Sequence, residues 1–343
     1  MGSRIRLGLT LATALGASLT LLPSAFAQYD PAPRIDLASE HAASPAAPVT
    51  LPRGVVEAAS VYEAYQRKAA AIHASFQDGE AINQAMIVGE AYQPEQMEEG
   101  LVAYTAMIAL DDAAFVRGVQ ASVQGPEGAA READALLAQP AAITAIPGSG
   151  EAAALAGAVL REEGGQLLAA GQAVKQSAYD IQREGWSRQT APDAAGRLAR
   201  AKSLSASAVI PAPEEVSSLL QTAAAFQGRR ASGEAALTPT LERGLTLAAL
   251  AVLGQADNEQ RLSALWARHE TAGCMKMAKL NLYQCLAVAG PHYENVFCLG
   301  QHAMMDTGQC IAGFGGQTEI GQRLGGDRAD RGAVEVPVAD LRR

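Results

Sequence analysis

The side chains best suited to chemistry gather in one stretch near the end of the chain. All four cysteines, Cys274, Cys285, Cys298 and Cys310, lie within it. So do His292 and His302, with His269 just before it, and Met275, Met277, Met304 and Met305. Thiolates and imidazoles hold zinc, thioethers hold Cu(I), and thiols pair as disulfides. The spacing separates these chemistries. Ten, twelve and eleven residues lie between successive cysteines. Zinc ribbons need close pairs such as C-x2-C, because one turn must present two thiolates to one ion. No such pair occurs, and neither a C-x-x-C redox pair nor a C-x-x-C-H haem attachment is present.

Disulfide chemistry fits better. A helix over 274–289 puts Cys274 and Cys285 about 20° apart around the axis and roughly 16 Å apart along it. A bridge needs Cα atoms within about 7 Å, so these two cannot join each other in a helix. Both can join a second, antiparallel helix, and Gly290-Pro291 supplies the turn. The expected pairing is nested, Cys285 with Cys298 and Cys274 with Cys310, one of the three pairings that four cysteines allow. Two features pull the other way. Lys279 to Tyr283 alternates polar and apolar, as a short strand does. Gly308 predicts a helix end before Cys310, which would leave the outer bridge on loop. The module resembles, in geometry and not in kinship, the twin-cysteine helical hairpins of the C-x9-C type, with longer spacings here.

The metal candidates are His292, Glu294, His302 and Asp306. His302 and Asp306 are four apart on one helical face, and His292 and Glu294 flank the hairpin turn. Imidazole with carboxylate suits zinc, and His302 with the four methionines suits Cu(I). Methionines in a hairpin usually fill core gaps, however, and a single histidine usually hydrogen-bonds. No cofactor is therefore predicted. No catalytic residue is assigned either. His269-Glu270 lacks the second histidine of the H-E-x-x-H helix, Ser149 lacks the G-x-S-x-G frame, and no S-x-x-K precedes any of the five lysines. Paired cysteines are not nucleophiles. Glu90, Glu98, Glu99, Asp111 and Asp112 are possible acids or bases, but carboxylates at helix ends are more often caps.

The rest of the chain has to position this module. Residues 1–27 read as a secretory signal: Arg4 and Arg6, an apolar run from Leu7 to Leu22, then Ala25-Phe26-Ala27 before the cut. That run is too short for an anchor of about 20 residues. Export makes the cysteines disulfides. Arg outnumbers Lys by 22 to 5, a coding bias of GC-rich bacteria, which places the protein in the periplasm or outside. The formal charge is −9, and the leader holds two cations and no acid, so the remainder is more acidic still. An acidic chain with scattered arginines gives no support for nucleic-acid binding, which needs a basic face, and no nucleic-acid partner is expected. Residues 28–54 are a Pro/Ala-rich linker.

Residues 55–147 and 148–264 read as two helical regions divided at Ile146-Pro147-Gly148. The expected helices include a cap at Asp78, a start at Pro94, a cap at Asp111, a long helix from Glu151 to Trp186 kinked at Gly164-Gly165, and a buried helix over Leu245–Leu253. Aromatics make up 5% of the chain, so the core is Ala, Leu and Val, and Tyr62, Tyr65, Tyr92 and Tyr104 belong to it. Residues 265–312 form the cysteine-rich module and 313–343 a Gly-rich tail. The fold class is all-α: an irregular multi-helix bundle or stacked helical hairpins with a C-terminal disulfide-stapled hairpin. The expected function is that of an exported, non-enzymatic binding or scaffold protein of the bacterial envelope, with an envelope protein or cell-wall component as partner. An envelope hydrolase and a zinc- or copper-handling protein are the alternatives.

Overall fold

The computed structural model describes residues 49–229, 231, 236–267 and 272–316. The expected signal, most of the linker, His269 and the tail beyond Gly316 lie outside the described residues. Among the described residues the chain forms thirteen α-helices and no strand. They are α1 (Arg53–Ala70), α2 (Gly79–Glu90), α3 (Pro94–Ala109), α4 (Ala113–Ala121), α5 (Gly125–Ala138), α6 (Ser149–Ile181) and α7 (Ala194–Ala206). After these come α8 (Pro213–Ala224), α9 (Pro239–Val252), α10 (Glu259–Trp266), α11 (Ala272–Val288), α12 (His292–Cys298) and α13 (Thr307–Phe314). A 3-10 turn (Pro140–Ala145) precedes α6, and a π-helical stretch (Leu299–Asp306) joins α12 to α13 without a break.

Local chemistry accounts for most boundaries. The Asp78 carboxylate accepts the Ala81 N–H at 2.8 Å and starts α2, while Pro94 and Pro239 occupy first turns where no N–H is missed. The cap of α4 is Asp112, which accepts the Phe115 N–H at 2.9 Å, and not Asp111; the chain takes one more residue to leave α3. Gly125-Pro126 opens α5, because proline is at home at a helix start. α1 stops at Ala70. Gly148, at φ 85°, turns the chain into α6. The described residues, on both sides of that turn, belong to one compact unit.

α3 and α9 run through the middle. Met97, Leu101, Tyr104 and Ile108 of α3, and Leu241, Leu245, Leu247 and Leu250 of α9, are fully buried. A buried ion pair pins the two helices together, Arg243 of α9 to Glu98 of α3 at 2.5 Å, and the same guanidinium donates to the Leu265 carbonyl at 3.1 Å.

α6 is the scaffold of the C-terminal module, and it is unbroken over 33 residues. The expected kink at Gly164 is absent because that glycine serves close packing. Gly157, Gly164 and Gly171 recur every seven residues and form one seam. Against it, antiparallel, lie Gly315, Gly308 and Gly300. A Cβ on Gly157 would meet the Gly315 carbonyl at 2.6 Å, one on Gly164 the Gly308 carbonyl at 2.6 Å, and one on Gly300 the Gly171 carbonyl at 2.8 Å. Backbone rests on backbone over about 21 Å of helix. This corrects the expectation that Gly308 ends a helix: it lies inside one, which runs to Phe314, because its missing side chain is what α6 needs.

The seam also accounts for the π stretch. Gly308 to Gly315 is seven residues, but Gly300 to Gly308 is eight. An α-helix would rotate the third glycine about 100° off the seam. A π-turn absorbs one extra residue and restores the alignment. It also displaces a carbonyl from the regular ladder, and the Tyr65 hydroxyl donates to Ala303 O at 3.1 Å.

Candidate functional site

The disulfide module is as expected. Cys285–Cys298 and Cys274–Cys310 are bonded, with Cα atoms 5.7 and 5.8 Å apart. Lys279 to Tyr283 is helical, not strand. α11 is therefore stapled at both ends to the C-terminal helix. The turn between them is braced by the segment after α6: Ala191 N donates to Gly290 O at 2.9 Å, and the first N–H groups of α12 find partners in Gln189 O and Ser187 O at 3.2 and 3.3 Å.

Of the four metal candidates the fold brings two together. His302 Nδ1 lies 2.8 Å from Asp306 Oδ2. The carboxylate also accepts from Asn281 at 3.2 Å and Gln301 at 3.0 Å, and these hydrogen bonds hold it below the ordinary aspartate range against the opposing effect of burial. His292 points elsewhere, its ring 6.3 Å from that of Trp186, and Glu294 accepts the Gly290 N–H at 2.7 Å. Among the described residues no three His, Cys, Asp or Glu side chains converge. Met275 and Met304 are core, while Met277 is 55% exposed.

Three of the five carboxylates considered as acids or bases are held by different partners. Glu90 pairs with Arg200 at 3.3 Å, Glu98 with Arg243, and Asp112 caps α4. Burial raises Asp111 above the usual range, and Glu99 is half-buried on α3.

Two buried polar clusters were not foreseen. The first centres on Lys279, which is 3% exposed. Its Nζ donates to Glu90 O at 2.5 Å and lies 3.6 Å from the Tyr92 ring centroid. Burial pushes the amine down to about 7, against the pull of the Glu90 charge. The ordinary lysine pKa lies above this value, so the unfolded chain holds the proton more tightly. Stability therefore falls as pH drops from about 10 to about 7, and is level below that. Lys279→Met is expected to stabilise the fold at pH 7 by about 1–3 kcal/mol, because an apolar side chain of similar length ends the desolvation cost. The gain should shrink toward pH 10. Urea unfolding of both proteins at several pH values checks it; a less stable variant at pH 7 refutes it.

The second cluster centres on Glu163. Its carboxylate accepts the Tyr62 hydroxyl at 2.6 Å and the Tyr104 hydroxyl at 2.7 Å, so α1, α3 and α6 meet on one side chain. Burial pushes this carboxyl up to about 7, against the two tyrosine hydrogen bonds, and the neighbouring charge of Glu63 adds to the rise. The only hint in the sequence is the position of Glu163 beside a seam glycine.

A concave apolar surface lies at the stapled end. Tyr179 and Gln182 of α6, Val288 of α11, and Tyr293 and Phe297 of α12 surround a groove of about 340 Å3 floored by the Cys285–Cys298 bridge. Tyr179 is 47% and Val288 81% exposed. Met277 and Leu280 of α11 are also exposed. Glu294 is the one carboxylate among the lining residues, and it is tied to the Gly290 N–H. Comparison with protein-family models, with curated proteins and with solved structures finds no match to this chain.

Proposed function

We propose that the chain is an exported, non-enzymatic binding protein of the bacterial envelope, and that it holds an apolar segment of a partner in the groove beside Cys285–Cys298. The groove carries this reading: it is concave, walled by Tyr179, Val288 and Phe297, and stiffened by a disulfide. Aromatic walls give a large contact area at small cost in side-chain entropy. The two disulfides fit an oxidising compartment, and no described helix is long and apolar enough to cross a membrane. A hydrolase needs an acid and a base converging on a cleft, and the groove offers one carboxylate already bonded to the backbone.

The test is capture from envelope extract on immobilised wild-type protein and on Val288→Glu. Val288 is exposed, so the change leaves the core intact and places a charge in the groove. The expected result is a component retained by the wild type and reduced at least about tenfold on the variant, as burying one unpaired charge predicts. Equal retention by both proteins would remove the groove from the reading. Terminal sequencing of the native protein should give Gln28 as the first residue; Met1 there would contradict export with cleavage.

A further inference from the structure

The Glu163 cluster contains oxygen atoms that the fold leaves unused. Glu63 and Gln66 stand three residues apart on α1, one turn from each other on the same face, and each is 5% exposed. Glu63 Oε1 accepts from Arg67 at 3.0 Å and from the Ser218 and Thr222 hydroxyls of α8, each at 3.4 Å. Glu63 Oε2 is buried with no hydrogen-bond partner. The Gln66 amide nitrogen donates to the Glu163 main-chain carbonyl at 2.6 Å. That bond fixes which way the amide faces, and Gln66 Oε1 is then buried without a partner as well. Two buried acceptors one turn apart, next to a second carboxyl group, lack a donor or a positive charge. The cations nearby are engaged at the margin: Arg67 on Glu63, and Arg229 on the Glu162 carboxylate at 3.1 Å.

We infer that Glu63, Gln66 and Glu163 form a binding site for a hard divalent cation of the calcium type. Calcium takes six to eight oxygen ligands in flexible geometry from carboxylates, amide carbonyls and water. Here two carboxylates and one amide oxygen come from the protein, and the Ser218 and Thr222 hydroxyls lie beside them. The absence of histidine and cysteine from the set argues against zinc and copper. Glu163 is only partly buried, which leaves room for water in the coordination shell. Neutralising Glu63 and Glu163 would relieve their mutual repulsion and knit α1, α6 and α8 together. This inference is independent of the groove.

Terbium(III) is the probe, because it substitutes for calcium and emits when energy passes to it from a tyrosine in contact range. Tyr62 and Tyr104, both hydrogen-bonded to Glu163, are placed to sensitise it. The purified chain, excited through its tyrosines, is expected to give saturable terbium emission that calcium displaces. Glu63→Gln and Glu163→Gln should each weaken binding at least about tenfold, as loss of a carboxylate ligand does. Glu127→Gln, a fully exposed carboxylate on α5, should leave it unchanged. Glu163→Gln keeps a partner for each tyrosine hydroxyl, so it remains folded and informative if Glu63→Gln does not. No calcium-displaceable emission, or emission that Glu163→Gln leaves intact, overturns the proposal.

Discussion

Gly164→Val is expected to abolish the native packing of α6 against the C-terminal helix. The added Cβ meets the Ala312 amide nitrogen in hard overlap and the Gly308 carbonyl at 2.6 Å. Both contacts are main chain, so no side chain can turn aside, and the two helices must separate. Separation breaks the whole seam from Gly157/Gly315 to Gly171/Gly300. A loss on the order of 4 kcal/mol or more follows, the range of severe overpacking. The neighbouring residue supplies the control. Gly165 is exposed, and a Cβ there meets nothing within 4 Å. Gly165→Ala should therefore stabilise the protein by about 0.5–1 kcal/mol, since it lowers the entropy of the unfolded chain and favours helix. Thermal unfolding of the two variants separates a close-contact role from a kink. If Gly164→Val were tolerated and Gly165→Ala were harmful, the glycine pair would be a bend and the seam would carry little.

That contrast shows what could be read from the sequence. Helix positions were legible because their signals are local: Asp78 before α2, Pro94 and Pro239 in first turns, Gly290-Pro291 between α11 and α12. The disulfide pairing followed from helix geometry, since Cys274 and Cys285 share a face but lie too far apart along the axis to bond. Glycine was misread at 164 and 308 because two opposite roles use the same residue. A glycine ends or bends a helix when its backbone is exposed, and continues one when another backbone rests on it. Only the partner decides, and the partner lies well over a hundred residues away. The seven-residue recurrence at 157, 164 and 171, answered by 300, 308 and 315, was the available clue. Within the candidate sites the same limit applies. His302 and Asp306 are one turn apart and were found. The meeting of Glu163 with Glu63 and Gln66, and the contact of Lys279 with Glu90, join residues that no local spacing relates.

Removing the outer bridge by Cys274→Ser with Cys310→Ser is expected to cost about 3–4 kcal/mol, and removing Cys285–Cys298 about 3 kcal/mol. The cysteines are 36 and 13 residues apart, and the loop closed in the unfolded chain sets these values in the chain-entropy account. The two costs will not add, because one bridge already confines the ends of the other. The bridges should also differ in their response to thiols. Cys274 is exposed, Cys285 half-buried, and their partners Cys310 and Cys298 are buried. Attack requires access to a sulfur, so mild reductant should open Cys274–Cys310 first. α11 would then be held by Met275, Ala278, Leu282 and Leu286 in the core and by Cys285–Cys298 at its far end. The C-terminal helix should stay in place, because its contact with α6 is made of glycine backbone and needs no sulfur. Brief reduction, alkylation and peptide mapping should label Cys274 and Cys310 before Cys285 and Cys298, with helical circular dichroism largely preserved. Labelling of all four at one rate, together with loss of most helix signal, would mean that the disulfides and not the glycine seam hold the module to the rest of the protein.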